Sequence, residues 1–212
     1  MNTKYNVSYR GTAMEITSIR KLDFEEVCLL HKNCIQRDFP KNEVRPLNMV
    51  KKLFKKGLYI AYGAYNNSTL IAYATFYNLQ SNPVVLLDYL AVQPQHRGSG
   101  IGSSFLKDFK SIVKSEFTNA KIIAIECENP EFSKTEQEKL TREKRIDFYT
   151  KNGAILTNSK LFAFGVNYKL LALKLENKSD NLPLGKGVYD LYLYGFNPFL
   201  KGLAKKYLSY ND

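Results

Sequence analysis

The 212-residue chain contains no tryptophan, two histidines and three cysteines. Cys28, Cys34 and Cys127 are odd in number and form no CxxC pair, and His31 and His96 are the only histidines that could join them. A zinc site or a disulfide framework is therefore not expected, nor is any other metal centre. Three scattered thiols fit a reducing cytoplasm. No apolar run approaches the roughly 18 residues that a membrane-spanning helix needs. No basic stretch followed by a short apolar core stands at the start, so no secretory signal is read there. Acidic residues are also scarce, with 20 Asp and Glu against 31 Lys and Arg, for a net charge of +11. Such a balance fits a nucleic acid, a membrane surface or a polyanionic small ligand. The lysines are scattered rather than blocked, and the tyrosines fall mostly at core-like positions instead of alternating with bases on one face. Neither a nucleic acid nor a membrane is expected as a partner.

Hydrophobic residues make up 44% of the chain, enough for a core. Residues 1–13 are polar and aperiodic and read as an N-terminal extension. Residues 14–176 read as one domain, and 177–212 as a C-terminal helical extension. MEITSIR (14–20) alternates as a strand does. Asp23, with Glu26 three residues on, is a capping box for the helix FEEVCLLHKNCIQ, which Phe39-Pro40 ends. Asn42 is the expected cap of a second helix through NMVKKLFKK, closed by Gly57. LYIAYGAY, TLIAYATFYNL and VVLLDYLAV (84–92) form a three-strand meander. The third strand is apolar on both faces, so it is expected to be central. A helix (101–117), a strand KIIAIECEN, a charged stretch (130–141) that contains a helix start, a helix REKRIDFYTKNGAI (142–155) closed by Gly153 and two further strands follow. The segment GVYDLYLYGFNPFLKGLAKKYL is amphipathic and helical, interrupted at Asn197-Pro198. This is an α/β order, with an antiparallel N-terminal half and a βαβ crossover in a mixed central sheet flanked by helices.

The turn QHRGSGIG (95–102) carries three glycines between strand and helix. A P-loop requires Lys after the last glycine, and none is there. A Rossmann turn has a third glycine where Ser103 stands, and it sits tight against its strand, whereas Gln93–Arg97 intervene here. The pattern Q/R-x-x-G-x-G/A after a strand ending Ala-Val-x-Pro fits residue for residue, with Gln95 opening it. The later FYTKNGA (148–154) fits a second pattern, F-Y-x-x-x-G-A at the end of a helix. Together, and in this order, they resemble the acetyl-CoA pyrophosphate loop and the late helix of the GNAT N-acetyltransferase superfamily. The element order resembles that fold over residues 14–175.

The resemblance implies the GNAT acyl-CoA N-acyltransferase fold and acetyl transfer from acetyl-CoA to a primary amine. The amine, on a small molecule or a peptide, attacks directly through a tetrahedral intermediate. It implies that Gln95, His96, Arg97, Gly98, Ser99, Gly100, Ile101, Gly102 and Ser103 hold the pyrophosphate, and that the backbone of Leu90, Ala91 and Val92 serves the pantetheine and oxyanion. Tyr149 is the implied general acid. Glu126 is the favoured base because it lies among apolar neighbours, with Glu128 and Asp88 as rivals. Glu43 and Asp88 are candidates to face the amine, and Glu25, Glu26 and Asp38 could attract a cation. A non-catalytic acyl-CoA sensor is the principal alternative, with a nucleic-acid-binding module behind it.

Overall fold

The computed structural model describes residues 15–176, 183–196 and 201–212. The expected N-terminal extension and the Asn197-Pro198 interruption lie outside those residues. The fold is α/β, with eight strands among the described residues that pair both antiparallel and parallel, and helices between them. The chain divides into two compact units.

The first unit comprises the residues up to Tyr77 together with Asp88–Phe109. Strand β1 (Ser18–Lys21) pairs antiparallel with β2 (Tyr59–Asn66), which pairs antiparallel with β3 (Thr69–Tyr77). Helix α1 (Phe24–Leu30) starts at the expected capping box: the Asp23 carboxylate accepts from Glu26 N at 2.9 Å, and Glu26 accepts from Asp23 N at 3.0 Å. It passes through a π turn (His31–Ile35) into α2 (Gln36–Asp38), which ends where Phe39 becomes extended before Pro40. Helix α3 (Leu47–Lys55) does not start at Asn42 as expected. Pro46, with φ −55°, precedes it, and its carbonyl accepts from Met49 N and Val50 N at 2.9 and 3.1 Å. A proline already fixed near helical φ makes a ready entry to a helix, and no side-chain cap is used. Tyr59, Tyr62, Tyr73 and Tyr77 are fully buried, as is Phe76, whose ring meets Phe109 edge-on at 5.0 Å. These four tyrosines are thus core residues. Strand β4 (Val84–Val92) delivers its second half to this unit, followed by a 3-10 turn (Pro94–His96) and the start of helix α4 (Ile101–Glu116).

The second unit comprises Asn78–Leu87 and the chain from Lys110. The first half of β4 pairs parallel with β5 (Ile122–Glu128), from Val84↔Ile122 to Leu87↔Ile125. Helix α5 (Glu136–Lys151) begins at a Thr135 cap, inside the charged 130–141 stretch where a helix start is expected, and the Thr135 hydroxyl accepts from Glu138 N at 3.1 Å. Strands β6 (Ile155–Ala163) and β7 (Val166–Lys174) form a hairpin, and β7 also pairs antiparallel with β5. Helices α6 (Leu184–Gly195) and α7 (Lys201–Ala204) occupy the expected helical extension, which ends in a strand, β8 (Leu208–Asn211), paired with β6. Pro183 offers α6 no side-chain cap. The Asp212 carboxylate does so instead, accepting from Gly185 N and Lys186 N. Gly187 lies so close to β4 that a Cβ there would stand 2.5 Å from Val84 Cγ2, and its carbonyl accepts from Asn82 Nδ2 at 2.8 Å. Among the described residues no helix is long and apolar enough to cross a membrane.

Candidate active site

Gly98 and Gly100 have φ of +78° and +84°, and a Cβ at either would meet nothing within 4 Å. The backbone conformation, not crowding, demands glycine here. The loop from Arg97 to Gly100 is exposed. Its N–H groups lead into a helix whose first turn contains no acidic residue to occupy the free donors. At that helix start Ser104 N donates to the Gly100 carbonyl at 3.0 Å. Ser99 braces the turn by donating to the His96 carbonyl at 2.6 Å. Ile101 is buried and anchors the helix start, while Gly102 and Ser103 are half-buried. An open glycine turn on a helix N-terminus is a cradle for an anion, so these residues fit a pyrophosphate.

The parallel β4–β5 ladder covers four pairs and stops at Leu87, while β4 runs on to Val92. Leu90, Ala91 and Val92 therefore lie past the last pair and are only half-buried. The Val92 carbonyl accepts from Arg97 Nε at 3.1 Å. Arg97 also donates from Nη2 to Asp38 at 3.2 Å. Gln95 is exposed and His96 half-buried.

In the second unit, β5 holds Glu126, Cys127 and Glu128 in succession. Glu126 is half-buried and accepts from the Tyr192 hydroxyl of α6 at 3.1 Å. Glu128 is bound in ion pairs with Arg142 at 2.9 Å and Arg145 at 3.5 Å. Of the two, Glu126 is the one outside these arginine bridges. Tyr149 is buried in the last turn of α5, edge-on to Phe148 at 5.1 Å. Burial pushes its phenol well above the usual range, the nearby Cys127 adds to this, and Arg145 opposes it. Burial likewise pushes the Cys127 thiol up to about 12. Cys127 is thus a small apolar core residue and no nucleophile at neutral pH. Phe164, in the β6–β7 turn with φ +49°, sets its ring at a tilt against Tyr192 and Phe196, with centroids 6.2 and 5.5 Å apart.

Other candidates are bound up inside the first unit. Asp88 forms an ion pair with Arg45 at 2.8 Å, with side chains only 5% and 7% exposed. The Tyr89 hydroxyl accepts from Arg45 N at 2.7 Å and donates to the Glu43 carbonyl at 3.0 Å, fixing the loop that carries Glu43. Glu26 is committed to Arg20, and Asp38 to Arg37, Arg97 and Tyr73. His31 is buried, and its Nε2–H donates to the Arg45 carbonyl at 2.7 Å. Among the described residues no cluster of His, Cys, Asp or Glu could hold a metal ion. Tyr192 is the contact that sequence reading missed: it reaches Glu126 across 66 positions, and no local pattern signals that.

Residues 24–135 match the family model described as the acetyltransferase (GNAT) family. No curated protein sequence matches the chain. Among solved structures, a protein ascribed to the GNAT family from Bacteroides thetaiotaomicron is 18% identical with a TM-score of 0.63, the match covering 84% of this chain and 99% of that one. A spermidine N-acetyltransferase from Vibrio cholerae is 11% identical with a TM-score of 0.53, covering 76% and 97%. An aminoglycoside 6'-N-acetyltransferase complexed with coenzyme A is 14% identical with a TM-score of 0.53, covering 76% and 99%. At these identities the likeness is one of fold.

Proposed function

The chain belongs to the GNAT acetyltransferase family, and from that footing we propose that it acetylates a primary amine by direct attack, through a tetrahedral intermediate and without an acyl-enzyme. It is an N-acetyltransferase whose acetyl donor is acetyl-CoA. The observation that carries the proposal is the open turn at Gly98 and Gly100 on an α4 start free of acidic side chains. Its N–H groups and the partial positive charge of the helix end offset pyrophosphate charge. Bound acetyl-CoA supplies an activated thioester carbonyl and a thiolate leaving group.

The chain's own groups do the rest. Past the end of the β5 ladder, the backbone of Leu90, Ala91 and Val92 serves the pantetheine arm and the carbonyl oxygen. An alkylammonium has a pKa of about 10, so a base must remove its proton at neutral pH. Glu126 is the proposed base, its carboxylate oriented by Tyr192. Tyr149 is the proposed acid: burial raises its phenol, so it keeps its proton until the sulfur needs it. Structural neighbours named for spermidine and aminoglycoside substrates support an amine acceptor, on a small molecule or a peptide. Asp88 and Glu43 remain the proposed substrate-side acids. Of these, Asp88 acts on the amine through Arg45 and the loop that this residue shapes, since its own carboxylate is paired. Three free cysteines fit a reducing cytoplasm.

The test is thiol release from acetyl-CoA against a panel of polyamines, aminoglycosides, amino acids and peptides, with the acetylated product identified by mass. Turnover on at least one primary amine is expected. Tight CoA binding with no turnover across the panel would replace the enzyme with a sensor.

A further inference from the structure

The coenzyme loop's arginine is not free to roam. Asp38, at the end of α2, has a side chain only 3% exposed. Its two oxygens accept from Arg37 Nε at 3.0 Å, Arg37 Nη2 at 2.8 Å, the Tyr73 hydroxyl at 2.9 Å and Arg97 Nη2 at 3.2 Å. These four bonds fill the acceptor sites of a carboxylate, which makes Asp38 a fixed anchor. Arg37 also donates to Gln93 Oε1 at 2.9 Å, and Gln93 N donates to the Ile71 carbonyl at 2.9 Å, so the anchor is tied to the sheet. Arg97 meets this anchor with Nη2 and the Val92 carbonyl with Nε, while its side chain stays 55% exposed. Two of its five N–H donors are thereby used. No acceptor among the described residues meets the other three.

We propose that Asp38 is the positioning residue of the phosphate loop: it holds the Arg97 guanidinium in one place and orientation, with three donors left for the coenzyme's phosphates. The inference rests on the reading of the loop given above. A half-exposed arginine that had to be ordered on binding would lose rotamer freedom at that moment, and an anchored one has lost it already. Asp38 is the last residue of α2, so the anchor stands where the helix gives way to the extended Phe39.

Charge alone and positioning predict opposite signs. Arg37, Arg97 and Asp38 together carry a net charge of +1, and Asp38→Asn would leave +2. By charge alone, that variant should bind coenzyme more tightly. By positioning, it should bind more weakly, about three- to tenfold, as expected when one long side chain must be ordered on binding. The experiment is calorimetric titration of CoA into the wild-type chain, Asp38→Asn, Arg97→Ala and the double variant, with the melting temperature of each measured without ligand. The weakening in Asp38→Asn should vanish in the Arg97→Ala background. Unchanged or tighter binding by Asp38→Asn, or a weakening that persists without Arg97, overturns the inference. If Asp38→Asn does not fold, Tyr73→Phe removes one of the anchor's bonds at constant shape; a smaller weakening supports the proposal, and none refutes it. A Gly100→Glu variant separates the two levels. If it binds CoA normally, the loop reading itself fails. If it loses CoA while Asp38→Asn is neutral, only the role of Asp38 fails.

Discussion

Tyr149 and Cys127 lie within electrostatic reach of each other, and burial raises both. For Tyr149 the raised folded value means that the neutral phenol favours the folded state at every pH below its ordinary value of about 10, and that this contribution is lost as pH rises beyond it. Tyr149 therefore does not titrate across neutral pH and is available as an acid. Tyr149→Phe should lower turnover by about 10²-fold or more while weakening CoA binding far less. Equal rates would remove Tyr149 from the chemistry. Cys127, fully buried with its thiol at about 12, should resist alkylation at pH 7 in the native protein, while the half-buried Cys28 and Cys34 are open to slow labelling. Peptide mapping after iodoacetamide treatment reads this directly, and native-state labelling of Cys127 would contradict the packing of β5. Glu126→Gln should depress turnover at neutral pH and abolish the acidic limb of the pH–rate profile; an unchanged profile would move the base elsewhere.

At the scale of elements, what could be read in the sequence was what local chemistry dictates. The Asp23–Glu26 box, the break at Phe39-Pro40 and the full span of β4 follow from caps, prolines and apolar runs within a few residues of each other. What escaped reading depends on distant partners. Asn42 has the chemistry of a cap, yet Pro46 already carries the helix entry. Strand β8 buries one residue of four, so it shows no alternation, and it exists because β6 offers an edge. The Asp212 cap on α6 closes a contact over 27 positions. Of the candidate site, the glycine turn was legible because positive φ selects glycine. The anchoring of Arg97 on Asp38, 59 positions away, was not. Gly187→Ala tests how tightly α6 is seated: a methyl 2.5 Å from Val84 Cγ2 should cost about 1–3 kcal/mol. For a chain of this size each kcal/mol lowers the melting temperature by about 2–4 °C. An unchanged melt would mean that α6 gives way at no cost.

For the whole molecule, the charge of +11 is spread over a surface that alone names no partner. Element order and two motifs narrowed it to one polyanion. Solved structures sharing 11–18% of residues keep the fold, because it needs apolar periodicity and a few glycines rather than particular side chains. The family match ends at residue 135, so the readings of Tyr149 and Tyr192 stand on the geometry of the second unit. The central claim is that the Gly98–Gly100 turn binds the coenzyme's pyrophosphate. Its most direct measurement is the melting shift caused by CoA in the wild-type chain and in Gly100→Glu, whose side chain would bring negative charge into the cradle and strain a backbone at φ +84°. At about a hundredfold excess over Kd, CoA should stabilise the wild-type chain by about 2.7 kcal/mol. That shift is expected in the wild-type chain and none in a folded Gly100→Glu variant; an equal shift in both would contradict pyrophosphate binding at this turn.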